Sequence, residues 1–299
     1  MSPLPIVFDY KFKKFIFTVI YLLIFFCSSA HTEDLKVMTF NIRYDNPSDN
    51  EYAWINRREM VFALLQNYKP EILCFQEALK NQVDQIRNYL KKYKHVGVGR
   101  DDGQDSGEFC VIFYDTMRFE KRDCATFWLS ETPELPGSRS WNAACTRIVT
   151  WVMLFDKMQN RYLVVFNTHF DHVSEQARLE SAWLLSARIR QIAGRENVIL
   201  TGDFNATDNS GAYHFLTNPD SAYSMNDTRK LAGKNSEGPP YTYVGFPFQP
   251  EKDEIIDFIF ISKNSDLRVI RNSIIDFHRN DKYPSDHLPV MAQFEYLKK

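Results

Sequence analysis

Six short stretches of this chain end an apolar, strand-like run in an acid, an amide or a histidine. They are "TFNIR" (39–43), "CFQE" (74–77), "NTHFDH" (167–172), "GDFN" (202–205), "EIIDFIF" (254–260) and "SDHLPV" (285–290). One such ending is ordinary, but six along one chain read as a single pocket of hard oxygen ligands and two histidines. Magnesium prefers carboxylate and amide oxygens and keeps several waters, so its site needs few protein ligands. The set suits magnesium-assisted phosphoester chemistry, with manganese as the alternative ion.

Each residue has a bland reading beside the chemical one. Glu77 ends a run so apolar that its carboxylate emerges at a strand edge, as a metal ligand or as a solvent-facing charge. Asn41 is a second ligand candidate or a plain turn former. The two-residue step from Asp203 to Asn205 puts both side chains on one face of an extended segment, where they can hold a water, a nucleophile or a metal. Asp257 lies inside "EIIDFIFI", where an unpaired carboxylate is expensive to bury, so a histidine or a metal is its expected partner. Asp286 and His287 are neighbours between Pro284 and Pro289; an Asp that orients a His makes a general acid or base. Glu108 opens "EFCVIF" and His169 ends "VVFNTHF", a candidate second carboxylate–histidine pair. Arg147 is a phosphate clamp or a salt-bridged surface arginine.

The elements that must carry these residues alternate in type. Strand-like runs fall at 35–42, 71–77, 95–99, 109–114 and 124–129, with helices expected near 54–67 and over 82–93, where Val83, Ile86 and Leu90 share a face. "RIVTWVMLFD" and "RYLVVFNTHFD" flank the polar "KMQN" as a hairpin. Ser174 caps a helix with Ala182, Leu185, Ile189 and Ile192 on one side. Strands follow at 197–205, 254–262, 267–276 and 289–296. Two packed sheets with helices outside fit this order.

At 299 residues and 44% hydrophobic the chain builds a substantial core, which excludes general disorder. Lys11, Lys13 and Lys14 against Asp9 give residues 1–30 a charge of +2; since the whole chain is −2, the rest is −4. Such a body has no broad electrostatic footprint for nucleic acid. Those lysines precede the apolar run Phe15–Phe26 and the small residues Ser28, Ser29 and Ala30. This is the order of a cleavable export signal over 1–30, too short for the roughly 20 residues of a spanning helix. An uncleaved anchor and a lipid on Cys27 are the competing readings. Cys74 and Cys110 sit in apolar runs as buried thiols, and a Cys124–Cys145 bridge is conceivable in an oxidising space. The sequence expectation is an exported monomer, with residues 31–299 as one domain and no obligate protein partner.

The series Asn41, Glu77, His169, Asp203/Asn205, Asp257 and Asp286/His287 resembles the endonuclease/exonuclease/phosphatase superfamily, from about Leu35 to Tyr296 and in its order. The resemblance implies a four-layer α/β sandwich: two packed mixed β-sheets flanked by helices, with the site where loops of both sheets meet. It implies metal-dependent phosphoester hydrolysis, with Glu77 as the principal ligand and Asn41 and Asp286 nearby. Asp203 and Asn205 would align the attacking water or a second metal, Asp257 would orient His287, and His169 would face the other side of the phosphorus. "GEFCVIFYD" is similar to the deoxyribonuclease segment, which makes Glu108 the partner of His169 and Arg147 a phosphate ligand. Apurinic endonucleases have a tyrosine near the place of His169, which speaks against abasic-site repair. The substrate stays open: a nuclease or other phosphodiesterase, a phosphatase, or a phosphodiesterase on a lipid headgroup. A non-catalytic binding protein on the same scaffold is the reading of another class. Stretches 130–142 and 236–248 are expected at the rim, with Tyr241, Tyr243, Phe246 and Phe248 as stacking platforms or as core.

Overall fold

Period-two alternation in the strands sorts side chains between two apolar layers. In β1 (Leu35–Asn41), Leu35 and Val37 turn toward a second sheet, while Met38 and Phe40 turn toward helices. β2 (Ile72–Ala78) repeats this with Ile72 and Cys74 against Leu73 and Phe75. The computed structural model describes residue 1 and residues 34–221, 223–248 and 254–297. Residues 2–33, which hold Cys27 and nearly all of the segment expected as an export signal, therefore lie outside the described residues.

Among the described residues, a seven-stranded sheet runs β10-β12-β13-β1-β2-β4-β3. It adds β3 (Tyr93–Val96), β4 (Phe109–Asp115), β10 (Ser236–Glu237), β12 (Leu267–Ile274) and β13 (Val290–Tyr296) to β1 and β2. A six-stranded sheet runs β5-β6-β7-β8-β11-β9. Its strands are β5 (Phe119–Trp128), β6 (Ile148–Asp156), β7 (Arg161–His169), β8 (Asn197–Asp203), β9 (Met225–Asp227) and β11 (Asp257–Ser262). The parallel pairs β1–β2 and β7–β8 are bridged by α1 (Trp54–Tyr68) and α3 (Glu175–Ala193), as parallel neighbours require.

Helices complete the outer layers. Trp54, Val61 and Leu64 of α1, with Val83 and Ile86 of α2 (Lys80–Tyr89), cover the first sheet. Ala182, Leu185 and Ile189 of α3 and Tyr213 of α4 (Gly211–Thr217) cover the second. Between the sheets lie Val37, Cys74, Val152, Val165, Ile199 and Ile259, all essentially inaccessible. Each such buried aliphatic side chain contributes about 1.5–3 kcal/mol. The four-layer sandwich is therefore the fold.

The expected helix over 82–93 ends at Tyr89, because Tyr93 begins an edge strand paired with Asp115. Ser174 caps α3 by accepting from Ala177 N at 3.1 Å. Short elements between 211 and 237, including α5 (Thr228–Ala232), had no sequence counterpart. Cys74 and Cys110 are buried free thiols, and Cys124 and Cys145 are free as well, so the conceivable bridge between them is absent.

Candidate active site

The inner faces of the strands change character toward one end of the sandwich. Val37, Thr39 and Asn41 follow one another on β1; Val165, Asn167 and His169 do so on β7; Ile199, Thr201 and Asp203 do so on β8. An apolar core thus gives way to a rung of hydroxyls and amides, and then to the candidate site. In the rung, Gln76 Nε2 donates to Thr39 Oγ1 at 2.9 Å and to Asn167 Oδ1 at 2.6 Å.

The first sheet delivers the carboxylate side. A β-bulge sets Gln76 and Glu77 against Cys110 alone, and it holds Glu77 at φ 60°. A left-handed non-glycine residue costs about 1–3 kcal/mol and is characteristic of functional sites. Here it turns the carboxylate to meet Asn41 Nδ2 at 3.0 Å and Tyr44 N at 3.2 Å. Asn41 also donates to Asp203 Oδ2 at 3.0 Å and accepts from Arg43 N, so its amide spans both sheets. Asp286 is buried near Arg43, whose Nε lies 3.9 Å from its Oδ2. Burial raises the Asp286 carboxyl, against His287, and the Glu77 charge raises it further.

Behind this side stands Arg57 of α1, 1% exposed. It donates to the carbonyls of Tyr52 (2.8 Å), Pro284 (3.0 Å), Arg43 (2.6 Å), Tyr44 (3.3 Å) and Ile42. It therefore fastens the loop after β1 to the segment that carries Asp286.

His287 Nδ1 lies 2.9 Å from Asp257 Oδ2, and its Nε2 lies 3.7 Å from Asp203 Oδ2. Its partner is thus the distant Asp257 and not its neighbour Asp286. Burial alone would lower this imidazole, yet Asp257 and Asp203 raise it to about 10. Burial and the Asp257 charge push Asp203 up to about 7.

The second histidine is arranged differently. Asn205 Nδ2 donates to Phe170 O and to His169 Nε2, each at 3.0 Å, which makes Nε2 an acceptor and leaves the proton on Nδ1. Nδ1 is buried without a hydrogen-bond partner. Glu108 stands 3.9 Å from it, too far for a hydrogen bond, because its carboxylate takes Arg100 Nη1 at 2.6 Å. The expected Glu108–His169 pair is therefore a contact at ion-pair distance and not a hydrogen bond. Burial, then the charges of Arg147 and Arg100, hold His169 well below its ordinary value. Asp203 and Asn205 do not share an extended face either. The strand ends at Asp203, and Asn205 turns left-handed (φ 46°) with its N–H on Asp203 Oδ1 at 2.9 Å. Gly202 admits the close approach of β7 and β8, since a Cβ there would lie 2.3 Å from Thr168 O.

These groups line one pocket of about 520 Å³: Glu77, Glu108, Arg147, His169, Asp203, Asn205, Asp286 and His287. Asn41 and Asp257 stand immediately behind it, on Glu77 and His287. Arg43, Tyr44, Arg100, His172 and Tyr243 also line it and were not singled out in the sequence as site residues, Tyr243 having been named only as a rim aromatic. Arg100 sits in a polar stretch, "GRDDGQDSGE", that reads as an exposed turn; the segment folds back so that Arg100 N donates to Glu108 O. His172 Nδ1 accepts from Arg147 Nη2 at 3.0 Å. No residue of 130–142 lines the pocket; Cys145 and Arg147 do. Of the expected rim aromatics, Tyr243 lies edge-on to His287 at 5.1 Å, Phe246 stacks on Tyr52, and Phe248 stacks on Tyr283.

The donor set fits a hard divalent cation. Glu77 and Asp286 bring two carboxylates toward one another with Asn41 between Glu77 and Asp203, and burial of that charge calls for a cation. Asp203, Asp257 and His287 also offer ligand atoms within 4.8 Å of one another. Within that trio His287 Nδ1 is already taken by Asp257 at 2.9 Å, and the two carboxylates favour the protonated ring.

A model of the Endonuclease/Exonuclease/phosphatase family matches residues 38–287. An endonuclease/exonuclease/phosphatase from Bacteroides vulgatus is 39% identical, over 88% of this chain and 99% of that one, with a TM-score of 0.83. The mannosyl-6-phosphatase of Bacteroides thetaiotaomicron VPI-5482 is 30% identical, over 88% and 100%, with a TM-score of 0.80. The CCR4-Not complex 3'-5'-exoribonuclease subunit Ccr4 of Mycosarcoma maydis is 23% identical over 89% of this chain, which spans about half (51%) of that protein.

Proposed function

The chain belongs to the endonuclease/exonuclease/phosphatase family and is a phosphoester hydrolase, and we propose that it is a magnesium-dependent one that acts on small phosphoesters by in-line attack of water. The observation that carries this reading is one pocket of about 520 Å³ with carboxylates on one wall, Arg147 and His169 on the other, and Asp203 between them. That volume is the size of a small-molecule site.

Glu77 and Asp286 would hold the ion, with Asn41 and Asp203 beside them. When bound, magnesium supplies Lewis-acid polarisation of a phosphoryl oxygen. Arg147 binds phosphoryl oxygens through its fork. His287, charged, donates to them where negative charge grows, and Asp257 holds its ring. His169 lines the pocket beside Arg147, and Asn205 holds its ring in place. Asp203 orients the attacking water and takes its proton, for which a value of about 7 suits it. The oxygen–phosphorus bond forms as the ester bond breaks, and the departing alkoxide takes its proton from solvent at the mouth. Glu108 anchors Arg100 at the wall.

A sugar phosphate is the favoured substrate, supported by the pocket's size and by the likeness to the mannosyl-6-phosphatase. The second reading is a 3'-terminal nucleotide, as for a 3'-5' exonuclease, with the half-exposed Tyr243 (47%) as the stacking surface. The same proposal takes the enzyme as exported, on the lysines and apolar run of residues 11–26.

The test is hydrolysis by residues 31–299, with magnesium or with a chelator. Substrates are sugar 6-phosphates, an aryl diester, RNA with a free 3' end, and sphingomyelin. Chelator-sensitive turnover is expected, lowered about 10²-fold or more by Glu77→Ala or Asp203→Ala in folded protein. Chelator-insensitive turnover, or full activity in both variants, would refute the mechanism.

A further inference from the structure

The two halves of the site belong to different sheets. Glu77 and Asn41 come from the first, His169 and Asp203 from the second. The apolar driving force between sheets is non-directional, whereas a hydrogen bond fixes direction. The strained bulge that aims Glu77 therefore needs a directional tie, and β7 supplies one.

Asn167 Nδ2 crosses the interior and donates to Phe75 O at 2.9 Å and Val111 O at 3.1 Å. Phe75 and Val111 are the paired residues at which the β2–β4 register breaks. Asn167 Oδ1 accepts from Gln76, the other residue of the bulge, at 2.6 Å. Three hydrogen bonds from one fully buried amide thus surround the distortion next to Glu77. We propose that Asn167 is a positioning residue for Glu77: from the opposite sheet it holds the β2 bulge, and so sets the ligand side of the pocket against the histidine side. The residue touches no reacting group. The metal part of this inference rests on the functional reading above; the part about the bulge does not.

The experiment compares wild type, Asn167→Leu and Val165→Ala, all in residues 31–299. Val165 lies on the same face of β7 two residues earlier, buried in the core between the sheets. Its variant is the control for lost stability alone. Magnesium affinity is measured by calorimetry without substrate, melting temperature by scanning calorimetry, and the path of β2 by crystallography. Expected are melting temperatures lowered in both variants. Magnesium affinity should fall about 10- to 100-fold in Asn167→Leu only, as for residues that orient ligands. Glu77 should leave φ near 60° in that variant. If Asn167→Leu does not fold, Asn167→Ser, which keeps one donor, is measured in the same way. Wild-type affinity in the Asn167 variant, an equal loss in Val165→Ala, or an unchanged Glu77 φ would each overturn the proposal. Should wild type bind no magnesium, the functional reading falls, and the Glu77 φ of the variant still decides the role of Asn167.

Discussion

His287 and His169 are the same residue type, similarly buried at 5% and 6%, and both rings approach Asp203 Oδ2, at 3.7 and 3.4 Å. Their protonation is opposite. Asp257 stands 2.9 Å from His287, and that charge outweighs burial. His169 receives an amide donor where His287 receives a carboxylate, and two arginines add to the cost of a positive charge. Neighbours decide the state of a buried histidine, and burial only sets the scale. The pair thus sets one charged and one neutral ring along the same pocket.

The contrast can be broken by exchange. His287→Ala should lower kcat by roughly 10³-fold and His169→Ala by about 10²-fold, since a charged donor near developing charge is worth more than a neutral ring. Steady-state kinetics on the best substrate would decide it, and equal losses would dissolve the distinction.

Asp257→Asn sharpens it and should cost about 10²-fold in kcat. The sign of its pH effect follows from His287. The ring must be charged, so wild-type activity falls as pH rises through about 10. Without the Asp257 charge burial prevails, the value drops, and the alkaline limb of the pH–rate profile moves to lower pH. The associated stability has the same sense: it is present in full below the unfolded value of about 6.5 and is lost as pH rises through about 10. A limb that stays in place in Asp257→Asn would show that another group titrates there.

Glu108→Gln is expected to have the smallest effect, below about tenfold, because Arg100 holds that carboxylate 2.6 Å away while His169 is at 3.9 Å. A loss as large as that of Asp257→Asn would restore a true carboxylate–histidine pair on this side.

Much of this was legible because strands write their own pattern. Val165, Asn167 and His169 are spaced by two, so an apolar face that ends in a histidine is visible in the letters. Ser174 announced α3 for the same local reason. Distant or irregular features were not legible. The bulge at Glu77 changes its direction without changing the alternation of residue types. Asn205 looked extended because the spacing from Asp203 was read as strand, whereas the chain turns left-handed there. Arg100 was hidden in a polar stretch whose fold-back depends on Gly99, where a Cβ would lie 2.2 Å from Ser106 O. The His287–Asp257 pair, at 2.9 Å, was expected from the family resemblance and not from spacing. The pairing of Glu108 with Arg100 depends on which chain segments meet and left no record in the sequence.

The five acceptors of Arg57 are all backbone carbonyls. Its grip therefore reads the path of the chain and ignores the side chains along it. Tyr44, which faces the pocket, enters this grip through its carbonyl and not through its ring. Tyr44→Ala should accordingly leave the loop where it is in a crystal structure, whereas lysine at 57, with one charged nitrogen in place of a planar fork, should release it. A frame fastened in this way lets selection rewrite what the pocket recognises without redrawing the pocket.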